Sequence, residues 1–186
     1  MSTTPSVARR VDLQLRAMSP FLEAMVSGPA ARMPKDRLVA DFLAGNPQEA
    51  TLPAFVAALT RWSVPQTTDW FGYKMPDHKA RATAAAALSA RLGLSIQPDD
   101  VFLARGASGG LAMALHTVVD PGDEVIFISP PWFFYEAMII GAGGTPVRVG
   151  VQPESFDLDV AAIAAAITER TRAVIVNTPN NPTGKI

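Results

Sequence analysis

The chain has 186 residues, of which 48% are hydrophobic, and a net charge of -1 at neutral pH. A near-neutral surface gives no electrostatic reason to bind nucleic acid or an anionic membrane, and no apolar run reaches the roughly 18 residues needed to cross a bilayer. Zero cysteines exclude disulfides, thiolate metal sites and a cysteine nucleophile, and two isolated histidines, His78 and His116, are too few to build a metal centre.

In chain order, the apolar positions Val7, Val11, Leu15, Met18, Leu22 and Met25 recur at three- and four-residue steps and predict an amphipathic helix over 6–25, kinked or restarted at Pro20. The first ten residues lack the continuous apolar core of a signal peptide, which makes the cytoplasm the expected compartment. Leu38 to Leu43 reads as a short extended segment closed by Gly45-Asn46-Pro47. Pro53 suits the first position of a helix to about Arg61. Residues 65–77 hold Trp70, Phe71 and Tyr73 among turn formers and read as loop. Asp77 then caps a long helix that ends at Leu92 before Gly93.

After Asp99 the pattern becomes an alternation of strand and helix. Strands are expected at 101–104, 124–128, 146–149 and 173–176, and helices at 108–119, 132–140 and 159–167. Short links between them imply right-handed crossovers and a mostly parallel sheet sandwiched by helices, an α/β fold preceded by an N-terminal helical segment. A boundary near residue 95 divides a helical portion, 1–95, from an α/β portion, 96–186. His116 sits beside core-facing Leu115 and is expected to be solvated.

Three turns that follow strands carry the chemistry. Arg105-Gly106-Ala107-Ser108-Gly109-Gly110 opens a helix: its small residues admit a ligand to the backbone, and the free N–H groups of the first turn carry partial positive charge. Together with the Ser108 hydroxyl they make a phosphate cradle, although the spacing is neither G-x-G-x-x-G nor the Walker pattern. Ser129-Pro130-Pro131-Trp132-Phe133-Phe134-Tyr135 brings aromatics to the sheet edge, where an indole face suits a flat, electron-poor ring. Phe133 and Phe134 read as core. The third turn is Asn177-Thr178-Pro179-Asn180-Asn181-Pro182-Thr183-Gly184, directly after the apolar run Ala173-Val174-Ile175-Val176. That run is apolar on both faces and is expected to be central in the complete sheet, whose next strands would come from sequence beyond Ile186. Asn181 should thus lie at the carboxyl lip of the sheet, where open α/β folds bind ligands.

The octapeptide resembles the N-x-P-x-N-P-T-G signature of the pyridoxal-phosphate aminotransferases of the aspartate aminotransferase family (class I/II, fold type I). Residues 105–110 look like that family's G-A-[ST] phosphate turn, and 129–135 like its P-x-[WY]-x-x-Y segment. The resemblance implies a fold-type-I transferase whose cofactor, pyridoxal 5'-phosphate, is held by Ala107 and Ser108 at the phosphate, Trp132 on the ring and Asn181 at the phenolic oxygen. Gly45 resembles a glycine whose backbone lies beside the substrate carboxylate. Phe71 and Tyr73 are both candidates for the family's neighbouring-subunit aromatic, but Pro76 stands where a glycine is expected. The Schiff-base lysine, the acid paired with the pyridine nitrogen and the carboxylate-binding arginine lie beyond this turn in the family. The resemblance therefore implies an N-terminal part with an incomplete large domain, no catalytic lysine of its own and Lys185 as an exposed charge. The complete enzyme would be a homodimer exchanging an amino group between an amino acid and a 2-oxo acid. The alternatives are a non-catalytic product or assembly partner, or another fold-type-I chemistry such as a lyase, a decarboxylase or a cyclopropane-forming synthase.

Overall fold

The computed structural model describes residues 7–34, 36, 49–75 and 77–186. Packing divides the chain into two compact units, Met1–Leu38 with Arg105–Ile186, and Val39–Ala104. The boundary read from the pattern near residue 95 thus falls inside the second unit.

The second unit contains α2 (Pro53–Ser63) and α3 (His78–Leu92). Pro53 occupies the first turn of α2, where its missing N–H costs nothing. Asp77 caps α3, its carboxylate accepting from the amides of Lys79 and Ala80, and Gly93 closes it in the left-handed conformation at φ +68°. Arg81 on α3 donates through Nε to the carbonyls of Pro98 and Val101 and pairs with Asp99, which ties the helix to the 3₁₀ turn at Pro98–Asp100. Residues 101–104, expected to be a strand, are not one. Val101 is extended, but a parallel strand exists only by pairing, and no described strand lies beside it; Phe102 is 82% exposed.

The first unit contains α1 (Arg9–Ser27), α4 (Gly106–Val118), β1 (Glu124–Ser129), α5 (Tyr135–Ala142), β2 (Thr145–Gly150), α6 (Val160–Ala166) and β3 (Thr171–Ile175). α1 runs through Pro20 without a break. The strands form one parallel sheet in the order β2-β1-β3. β1 to β2 and β2 to β3 therefore step in opposite directions, and right-handed crossovers place α5 and α6 on opposite faces.

β1 is the keystone. Val125, Ile126, Phe127 and Ile128 are all buried, because β1 is paired on both edges and covered on both faces. Burying each such side chain is worth about 1.5–3 kcal/mol. Val125 and Phe127 join Leu115 and Val119 around α4, and Tyr135 and Ile139 of α5, in one apolar cluster. Among the described strands the central one is β1. β3 lies at the edge of the described sheet and alternates, with Ala173 and Ile175 against the cluster and Val174 40% exposed.

Charge pins the amino ends of the strands. The nearly buried Glu124 carboxylate accepts from Thr168 Oγ1 at 2.7 Å and from Arg170 Nη2 at 2.5 Å. The Thr168 hydroxyl first, and Arg170 after it, hold its carboxyl below the ordinary Glu value. Beside it Asp123 pairs with Arg172 at 3.2 Å, at the point where the β1–β3 register slips by one residue.

Candidate functional site

Each expected site residue of the first unit is placed by a chain break after, or before, a regular element. α4 begins at Gly106, whose φ of +71° swings the backbone into the helix. Arg105, at the N-cap, gives no side-chain hydrogen bond to the first turn, so the amides that open α4, those of Ala107 and Ser108 among them, keep their donors for another acceptor. Trp132 lies outside any helix, in the stretch led by Pro130 and Pro131; α5 starts three residues later than the pattern suggests because the aromatic run forms a turn first. After β3 the prolines force the turn that carries Asn181. That turn is self-supporting: the Asn181 amide donates to Asn177 Oδ1 at 3.0 Å, and Asn180 Nδ2 donates to Thr183 Oγ1 at 3.0 Å. Asn180 Nδ2 also reaches the Pro130 carbonyl at 3.4 Å, linking the two proline-led turns.

These segments converge. Ala107, Ser108, Trp132 and Asn181 line a single cleft of about 280 Å³ together with Leu111, Tyr135 and Asn177. The cleft lies where strand order reverses, between the segments that leave β1 and β3, as the switch-point rule requires. Trp132 packs on the apolar cluster behind it and meets Tyr135 edge-on at a centroid distance of 5.5 Å. Burial pushes the Tyr135 phenol above its ordinary value, so its hydroxyl is neutral and able to donate near pH 7.

Tyr135 and Asn177 were legible as members of their motifs but not as lining residues. Leu111 reads as an ordinary helix-face residue, and only its place one turn into α4 brings it to the cleft. Gly45 lies outside the described residues. Phe133, expected in the core, is instead half-buried and stacked on Phe21 of α1.

Lys185, expected as an exposed charge, is 40% exposed at its side chain and ion-paired. Its Nζ pairs with Asp157 Oδ1 at 2.8 Å, and that hydrogen bond holds the Asp157 carboxyl below its ordinary value. Both residues line a second cleft, of about 390 Å³, with Ile128, Val151, Phe156 and Val176. Among the described residues no lysine lines the smaller cleft.

The family model of aminotransferase class I and II matches residues 39–186. The aspartate/prephenate aminotransferase of Thermus thermophilus is 32% identical over 180 residues, covering 96% of this chain and 46% of that protein. Human kynurenine–oxoglutarate transaminase 1 is 37% identical over 153 residues, covering 75% of this chain and 35% of that protein. Among solved structures, the aspartate aminotransferase of Thermotoga maritima superposes with a TM-score of 0.73 at 29% identity, over 96% of this chain and 47% of that one. The chain belongs to the class I and II aminotransferase family and has the fold-type-I α/β architecture. It spans about half the length of the curated relatives that it matches over nearly all of its residues.

Proposed function

We propose that this chain forms the cofactor-binding wall of an aminotransferase that uses pyridoxal 5'-phosphate to move an amino group between an amino acid and a 2-oxo acid. The observation that carries the reading is the convergence of Ala107, Ser108, Trp132 and Asn181 on one cleft. They come from three separate turns, and each type suits a different part of one molecule.

The uncapped start of α4 fits a phosphate: backbone N–H groups, the positive end of the helix dipole and the Ser108 hydroxyl converge there. The indole of Trp132 offers a π-face to a cationic pyridinium ring. Asn181, its backbone amide already engaged by Asn177, has its carboxamide N–H to give to the phenolic oxygen. The neutral Tyr135 hydroxyl adds a donor at the cleft wall. When bound, pyridoxal phosphate supplies an electron-poor ring that accepts the electron pair released at the amino acid's α-carbon. The chain's own residues bind that ring, fix its plane and hold a proton against its phenolic oxygen. The resemblance also supports a homodimer.

Titration with pyridoxal phosphate of the chain carrying Trp62→Phe and Trp70→Phe, monitored by the quenching of Trp132 fluorescence, tests this reading. Saturable quenching that inorganic phosphate competes away is expected; linear, non-competed quenching overturns it.

A further inference from the structure

Helix α1 contributes no buried residue, and the apolar cluster of the first unit is built without it. It nevertheless meets α5 and the turn before it through one face, at two points seven residues apart. Phe21 stacks flat on Phe133, with ring centroids 3.5 Å apart and an interplanar angle of 10°. Two turns earlier, Gln14 Nε2 donates to the Ala137 carbonyl of α5 at 2.9 Å. The approach is close: a Cβ on Gly141 would displace the Gln14 amide from its place.

Phe133 passes that contact on. Its ring lies 5.9 Å from the Trp132 ring at 51°, and 4.3 Å from Phe134 at 43°; Phe134 in turn meets Trp132 edge-on at 4.9 Å. A continuous set of rings thus runs from α1 to the wall of the cleft. Trp132 needs such support. It sits in neither helix nor strand, its backbone held by a hydrogen bond from the Tyr135 amide to its carbonyl at 3.1 Å, and Tyr135 bears on its ring from within the cluster. Phe133 is the neighbour whose own place is set from outside that cluster.

We propose that α1 is a brace for the aromatic platform: Phe21, with Gln14 setting the helix against α5, is a positioning residue that fixes the plane of Trp132 in the cleft. As a statement about cofactor binding, it rests on the reading given under Proposed function. As a statement about Trp132 alone, it does not.

The chain has three tryptophans, so Trp62→Phe with Trp70→Phe leaves Trp132 as the sole tryptophan, excited selectively at the red edge where tyrosine does not absorb. In that background Phe21→Ala, Phe21→Leu and Phe21→Tyr are compared, first without ligand by emission maximum and acrylamide quenching, then by titration with pyridoxal phosphate. Phe21→Ala is expected to shift Trp132 emission to the red, increase its quenching by acrylamide and weaken pyridoxal phosphate about two- to tenfold, the worth of one aromatic pair. Phe21→Tyr, which keeps the ring, restores all three, and Phe21→Leu, which keeps the bulk, does not. Should Phe21→Ala fail to fold by circular dichroism, the leucine–tyrosine comparison decides alone. A lowered thermal midpoint with Trp132 emission and quenching unchanged means that Phe21 merely anchors α1, and the brace is overturned; so does a leucine variant that equals the tyrosine one. If the parent does not bind pyridoxal phosphate but Phe21→Ala still loosens Trp132, the cofactor reading falls and the brace stands.

Discussion

Asn181 and Lys185 stand four residues apart on one turn and serve different clefts, so substitutions there should separate cleanly. Losing a hydrogen bond to a charged oxygen costs roughly 1.5–3 kcal/mol, so Asn181→Ala should weaken pyridoxal phosphate about ten- to a hundredfold while circular dichroism is unchanged. Undiminished affinity would remove Asn181 from the site. Lys185, engaged by Asp157 away from the cleft that Asn181 lines, should take no stoichiometric label when the chain is incubated with pyridoxal phosphate, reduced with borohydride and mapped by peptide; a labelled Lys185 contradicts the placement. Glu124 gives the pH dependence. Its carboxyl is held below the ordinary value by Thr168 and then Arg170, so its contribution is present above the ordinary carboxylate range and fades as pH falls through the lowered value. The thermal midpoint of Glu124→Gln should lie below that of the parent at pH 7, and the gap should close in acid. A gap that stays constant with pH would mean that Glu124 acts by packing and not by charge.

At the scale of elements, α3 shows how a boundary becomes legible. Asp77 and Gly93 have conformational reasons to sit where they do, and the structure uses both. Asp77→Ala should cost about 1 kcal/mol in urea unfolding, with Asp77→Asn nearly silent because asparagine caps as well; equal losses would mean that the cap does not contribute. The strand–helix alternation after residue 123 was legible for the same reason, since Gly, Pro and Asp mark each turn. What stayed hidden were properties that a segment does not own. Residues 101–104 have strand composition without a described partner, and the composition of β3 could not say that β1 would take the centre of the described sheet. Pro20 is expected to kink or restart the first helix, and α1 continues through it without a restart. Of the residues that line the cleft, Ala107, Ser108, Trp132 and Asn181 could be singled out because each belongs to a punctuated motif; Leu111 could not, because only the tertiary fold brings a helix face to a turn.

Considered whole, the molecule leaves apolar surface uncovered in each unit. β3 presents an unpaired edge among the described residues, with Val174 and Val176 40% and 51% exposed, and α2 exposes Phe55, Leu59 and Trp62 by more than half. Free strand edges and contiguous apolar faces promote association. On size-exclusion chromatography the chain should therefore elute at an apparent mass that rises with concentration; a monomer at every concentration, with one cooperative urea transition, would show these faces to be harmless. The strand order also sets a timetable. Glu124 pairs with Thr145 across a short stretch of chain and with Thr171 across more than twice that length. Each doubling of a closed loop costs about 0.6 kcal/mol, so the nascent chain should zip β1 to β2 before β3 docks on the other side. The turn bearing Asn181 travels with β3, which makes this wall of the cleft the last part of the sheet to assemble. If pyridoxal phosphate binds only the finished cleft, adding it during refolding should slow unfolding without hastening folding; a faster refolding rate would show that the wall forms earlier.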